Sequence, residues 1–179
     1  MEMNLPTLVE QLKKHHQIFV DYVSGLSAEQ FMQHPPDKWT AGQQVDHIIR
    51  SVQPLTQVFL MPIFVHGLLL GKSNRPSRSY DALVARYQEK LAEGAQATGR
   101  FVPPTVMTNQ QATQGQALLQ LIEKLTAQLA KYSEKDLDTL LIPHPVLGKL
   151  TIREMMYFTI HHVQHHLGIT QRNVELANG

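Results

Sequence analysis

The chain has no cysteine, which excludes disulfides, thiolate metal sites and a cysteine nucleophile. Any thiol chemistry must therefore use a thiol brought by a small molecule. Charge of one sign is also missing. Sixteen Lys and Arg against 15 Asp and Glu leave +1, with no basic run, so nothing marks nucleic acid or anionic lipid as a partner. Long apolar runs are absent too. The longest, residues 58–70, is interrupted by Pro62 and His66 and is too short to span a bilayer. The opening residues, MEMNLPTLVEQLKKHH, lack the basic-then-apolar pattern of a signal peptide. The expected location is the cytoplasm, with no membrane partner. There is no glycine-rich phosphate loop, no nucleophile elbow and no interleaving of aromatic and basic residues, which argues against nucleotide cofactors and nucleic acid.

What the chain does have is helical periodicity. At 179 residues, with 42% hydrophobic and 17% charged residues, it fits one domain, 1–179, with a proper core. A first helix is expected over residues 5–23, with Asn4 as N-cap and Pro6 in the first turn. Ser27-Ala-Glu-Gln30 reads as a capping box for a short turn. A second long helix starts at the Thr40/Gln43 capping box and runs to about residue 70, bent at Pro54 and Pro62. Ser79 caps a third helix over about 80–93, and a fourth covers about 115–132. Thr151-Ile-Arg-Glu154 is a third capping box and opens the last helix. Residues 94–114 are long for a connection and mark a lid or partly mobile loop, and residues 133–150 read as another loop. No useful strand alternation and no repeat are present. The expected fold is all-α: an up-and-down-type four-helix bundle with an extra short helix and long connecting loops.

Four of the ten histidines fall within Phe158-Thr-Ile-His-His-Val-Gln-His-His-Leu-Gly168. They form two i, i+4 pairs, His161/His165 and His162/His166, and each pair shares one helix face. At about 100° per residue, Ile152, Met156, Val163, Leu167, Thr170 and Val174 make one stripe. Arg153, Glu154, Tyr157, Gln164, Gln171 and Arg172 lie opposite. His162 and His166 flank the stripe, whereas His161 and His165 share the polar face with Glu154 and Arg172 and are expected to be solvated. The inner pair can take adjacent sites on one divalent ion. His47, beside the apolar stripe of the second helix, is the candidate third ligand. Asp46, about 100° around the same helix, is expected to point elsewhere. This is not the zincin motif, because His161-His162-Val163-Gln164-His165 has histidine where the catalytic glutamate belongs.

The chain resembles the DinB-like superfamily of metalloenzymes, also described as DinB/YfiT-like, over nearly its whole length. The likeness rests on Lys38-Trp-Thr-Ala-Gly-Gln43 with Val45-Asp-His47, on His144-Pro-Val-Leu-Gly-Lys-Leu-Thr-Ile-Arg-Glu154, and most sharply on His162-Val-Gln-His-His166-Leu-Gly168. Many members continue with glutamine where Ile169 stands. The resemblance implies His47, His162 and His166 as ligands of a divalent metal, zinc or nickel foremost. It further implies a metal-dependent transferase moving a small-molecule thiol to an electrophile, or a hydrolase, with no general base identified. The alternative is a non-catalytic metal-binding or stress-linked interaction bundle. Surplus apolar residues on the second helix, Phe59, Met61, Phe64 and Leu68 to Leu70, predict a homodimer. Trp39, Met155, Met156 and Phe158 are expected in the core, with Met155 and Phe158 beside the pocket.

Overall fold

The structure, a computed structural model, describes residues 3–178. Four long helices make the bundle: α1 (Leu5–Ser24), α3 (Ala41–Phe59), α6 (Gln111–Leu129) and α8 (Ile152–Asn178). Short helices α2 (Ala28–Met32), α4 (Ile63–Leu69) and α7 (Glu134–Thr139), with the longer α5 (Tyr80–Ala92), fill the connections. The chain is all-α, apart from one small hairpin. Helices α1 and α3 each pack against both α6 and α8, so chain neighbours α1 and α3 sit diagonally across the bundle. Leu8, Leu12, Phe19, Ile48, Leu118, Ile122, Leu125, Leu129, Met156 and Val163 meet in the core.

The capping signals are realised. Asn4 Oδ1 accepts from the Thr7 amide at 3.0 Å, and the Ser27, Thr40 and Thr151 boxes all close, as do those at Ser79 and Ser133 in part or whole. Each satisfies backbone donors that a helix start leaves open. Pro54 lies within α3 without ending it. The break falls at residues 60–62, after which α4 leaves at 105°. Buried His66 donates from Nε2 to the Val58 carbonyl at 2.6 Å and accepts the Tyr132 hydroxyl on Nδ1 at 3.0 Å. It thereby ties the bend to the end of α6. Among the described residues no single helix is long and apolar enough to cross a membrane.

Residues 133–150 are not a plain loop. They hold α7 and an antiparallel hairpin of β1 (Leu141–His144) and β2 (Gly148–Thr151), in which Leu141 faces Thr151 and His144 faces Gly148. Gly148, at φ 76°, supplies the left-handed residue that closes the three-residue turn. Likewise, residues 94–114 contain 3-10 turns at Gly99–Phe101 and Thr108–Gln110, and α6 begins earlier than its periodicity indicated.

The largest correction concerns α8. Every residue from 151 to 160 is buried, including Arg153, Glu154 and Tyr157, which lie opposite the apolar stripe. Helices α5 and α7 and the hairpin cover that side. Arg153 holds Asp138 and Glu134 at 2.7 Å, and the Tyr157 hydroxyl accepts from the Met3 amide at 3.0 Å. Glu154, wholly buried, takes both Arg75 guanidinium nitrogens at 2.6 and 2.9 Å, Arg78 at 3.1 Å, and the amides of Arg78 and Thr151. Burial pushes its carboxyl up, but Arg75 and these amides outweigh that and hold it below its ordinary value.

A carboxyl lowered in the fold adds stability that is present above its unfolded value and is lost as pH falls through the folded one. Glu154→Gln should cost about 2–3 kcal/mol at pH 7, discounted because both arginines reach solvent. It should also flatten acid destabilisation below the ordinary value of 4.5. Urea titrations at pH 7 and pH 4 check both.

Candidate metal centre

The Thr40 box fixes where α3 starts, and α3 then presents Gln44, His47 and Ser51 along one face, at i, i+3 and i+7. The Thr151 box does the same for α8, and His162 and His166 face His47 across the helix interface. All three histidines are buried. His162 Nε2 lies 3.3 Å from His47 Nε2 and 3.1 Å from His166 Nε2, and one nitrogen from each ring lies within 4.8 Å of the others.

The protons on two of these rings are settled by what the far nitrogen meets. His47 Nδ1 lies 2.8 Å from the Phe101 carbonyl, and His166 Nδ1 lies 2.5 Å from Gln44 Oε1. Both oxygens can only accept, so Nδ1 carries the hydrogen and Nε2 keeps a bare lone pair. Bare lone pairs brought together repel unless a cation sits among them. Nitrogens about 2.0–2.1 Å from one tetrahedral ion lie about 3.3 Å apart, which the observed separations match. The three residues therefore fit a divalent metal, and carbonyl partners behind ligating imidazoles are what such sites use to orient the rings.

Electrostatics point the same way. Burial lowers His47, against weaker opposition from the Phe101 carbonyl and Asp46. Burial, then the neighbouring histidines, depress His162 and His166 strongly. All three are neutral near pH 7, as ligation requires.

The triad stands in the wall of a cavity of about 990 Å³. Trp39, Met155 and Phe158 line it, and Met156 belongs to the core. Phe158 stacks on His162 with centroids 4.8 Å apart, and Trp39 lies 5.1 Å from His47 and 6.4 Å from His166. Residues 94–98 with Arg100 and Phe101 form one side, so part of the long connection does cover the site. Asp46 does turn away, to Arg50.

His161 and His165 lie outside the triad, but they are half-buried rather than solvated. Helix α5 covers them: Tyr87 stands 6.0 Å from each ring, and Tyr80 lies 6.4 Å from His161. Five contributors were not assigned a role from the sequence. The Phe101 carbonyl is backbone and leaves no side-chain signature. Gln44 was legible, three residues before His47 on the same face. The roles of Tyr87 and His144 in the cavity wall depend on long-range packing. His16, on α1, also lines the cavity. Its Nδ1 donates to the Leu12 carbonyl at 2.7 Å, and its buried Nε2 has no partner.

The family model described as the DinB superfamily matches residues 11–170. The chain is also similar to the uncharacterized protein YuaE of Bacillus subtilis, at 28% identity over 152 residues, covering 81% of this chain and 83% of that protein.

His16 and His144 are both lowered to about 4, chiefly by burial. An unfolded histidine gains its proton near pH 6.5. Lowered histidines therefore favour the fold fully above that pH, and the advantage is lost as pH falls from about 6.5 toward 4. The metal-free protein should lose urea resistance across that window, beginning above the carboxylate range. His16→Leu, which also removes an unmet buried acceptor, should raise stability at pH 5 by about 1 kcal/mol or more. An unchanged midpoint between pH 7 and pH 5 would contradict this.

Proposed function

The chain belongs to the DinB superfamily, and from that premise we propose a metal-dependent enzyme that transfers a small-molecule thiol to an electrophile or performs a hydrolysis. His47, His162 and His166 bind the divalent ion, zinc or nickel. The observation that carries this reading is the open position. The three nitrogens border a cavity of substrate size, and no fourth His, Asp or Glu joins the group among the described residues. A structural site would be closed by a fourth protein ligand. When bound, such an ion supplies Lewis acidity, which lowers the pKa of a water or a thiol toward neutrality.

The chain's own residues prepare the site. Gln44 and Phe101 hold two ligand tautomers, and Trp39 and Phe158 wall the triad with aromatic surface. Neither Asp46 nor Glu154 serves as the proton acceptor, because Arg50 engages the first and Arg75 and Arg78 enclose the second. A chain without cysteine leaves the thiol to the substrate.

Elemental analysis of untagged protein should give about one divalent ion per chain. His47→Ala, His162→Ala or His166→Ala should each remove most of it, since two imidazoles hold an ion far less tightly than three. His161→Ala and His165→Ala should leave it nearly unchanged. Turnover with a panel of thiols and electrophiles should vanish in the His47→Ala, His162→Ala double variant. Metal uptake without turnover above that variant would favour the non-catalytic alternative, and equal metal content in all variants would remove the site.

The same proposal includes a homodimer, now assigned to α4 and to Leu60 in the break that precedes it. Phe59 belongs to the core, but Leu60, Phe64, Leu68 and Leu69 are 64–80% exposed, an apolar surface that a partner would cover. Sedimentation should show a dimer at micromolar concentration and a monomer for Phe64→Glu with Leu68→Lys. A wild-type monomer would overturn this part alone.

A further inference from the structure

His144 sits at the end of β1, where the hairpin turns. Its Nδ1 accepts from the Val146 amide at 3.2 Å and the Leu147 amide at 3.0 Å. Two backbone donors on one nitrogen leave no room for a hydrogen there, so the neutral ring carries its proton on Nε2. The ring packs edge-on against Phe158 with centroids 4.2 Å apart, and Phe158 in turn stacks on His162. His144 thus lines the cavity one ring away from the triad. Its Nε2–H has no hydrogen-bond partner among the described residues.

Several other polar groups of this wall are already engaged, and His16 turns a lone pair rather than a hydrogen toward the cavity. Ser51 donates to the His47 carbonyl, Thr159 to the Met155 carbonyl and Asn173 to the Trp39 carbonyl. Ile48, Val52, Leu55 and Ile142 add apolar lining, and Lys38, Lys90 and Arg100 stand elsewhere on the wall. A donor that is rigidly held, uncharged and unspent in such a place is built for an oxygen acceptor. The opposite tautomers also separate the roles. His47 and His166 expose a lone pair and suit a cation, whereas His144 exposes a hydrogen and does not.

We propose that His144 is a substrate-positioning residue: its Nε2–H receives a carboxylate or carbonyl oxygen of the ligand whose other end reaches the metal. The site would then select bifunctional ligands, with a metal-seeking atom at one end and an oxygen acceptor at the other. This rests on the metal reading above and adds a specificity to it.

The test uses cobalt(II)-loaded protein and reads thiolate-to-cobalt absorbance, not turnover. Ethanethiol, 1-propanethiol and 1-butanethiol are titrated beside thioglycolate, 3-mercaptopropionate and 4-mercaptobutyrate. At least one carboxylate should bind about tenfold tighter than its alkyl counterpart, as a charge-assisted hydrogen bond provides. His144→Ala should abolish that preference while leaving alkyl-thiol affinity within about twofold. His144→Asn keeps an acceptor for the turn amides but cannot reach as far, so it should lose the preference with the fold intact. Tyr87→Phe, on the neighbouring wall, should retain it. Absence of any carboxylate preference in the wild type, or its survival in both His144 variants, would overturn the proposal while the metal reading stands. Loss of the preference in Tyr87→Phe with none in the His144 variants would overturn it as well. Failure to take up cobalt would overturn both readings.

Discussion

Everything at the cavity depends on the complete enclosure of the first part of α8. Residues 151–160 have no solvent face, so the helix can neither rotate nor slide without stripping partners from Glu154 and Arg153. Ion pairs of this kind, with one buried and one part-exposed partner, are poor sources of net stability, but stripping the partner from buried Glu154 or Arg153 would cost several kcal/mol. Within the next two turns come His162 and His166. Their position relative to α3 is therefore inherited from charges on the far side of the helix, with Arg75 and Arg78 acting at a distance from any ligand.

A second layer of control lies in hydrogen placement. Four imidazoles that line the cavity have one nitrogen committed to a fixed partner: His47 to a backbone carbonyl, His166 to a side-chain amide, His16 to its own helix, and His144 to turn amides. The same side chain thus presents a lone pair at three places and a hydrogen at the fourth. Rings of one residue type acquire different chemistry from neighbouring groups that no composition reveals.

That contrast explains what could be read in the chain and what could not. Spacing and amphipathicity within a single helix placed His162 and His166 inward, and helix-start signals at Asn4, Thr40 and Thr151 appear as expected. The same amphipathicity misplaced Glu154, Arg153 and Tyr157, because it describes one helix and knows nothing of α5, α7 and the hairpin that cover its other side. The hairpin itself was hidden by its four-residue strands, one of them containing Pro143, too short for alternation to register. His161 and His165 were half right: away from the triad, yet shielded by tyrosines from a helix far away in the chain.

The carbonyl behind His47 comes from Phe101, in the 3-10 turn of the connection that runs along the cavity. Arg50, on the same helix as His47, holds the adjacent Arg100 carbonyl at 3.2 Å. The connection and any ion at His47 are thereby thermodynamic effectors of one another. Seating the turn orients the imidazole that an ion needs, and an ion that rewards that orientation returns the same free energy to the turn. Affinity at the centre then becomes a property of a loop more than fifty residues away in the chain, and sequence changes in that loop can retune it without touching a ligand.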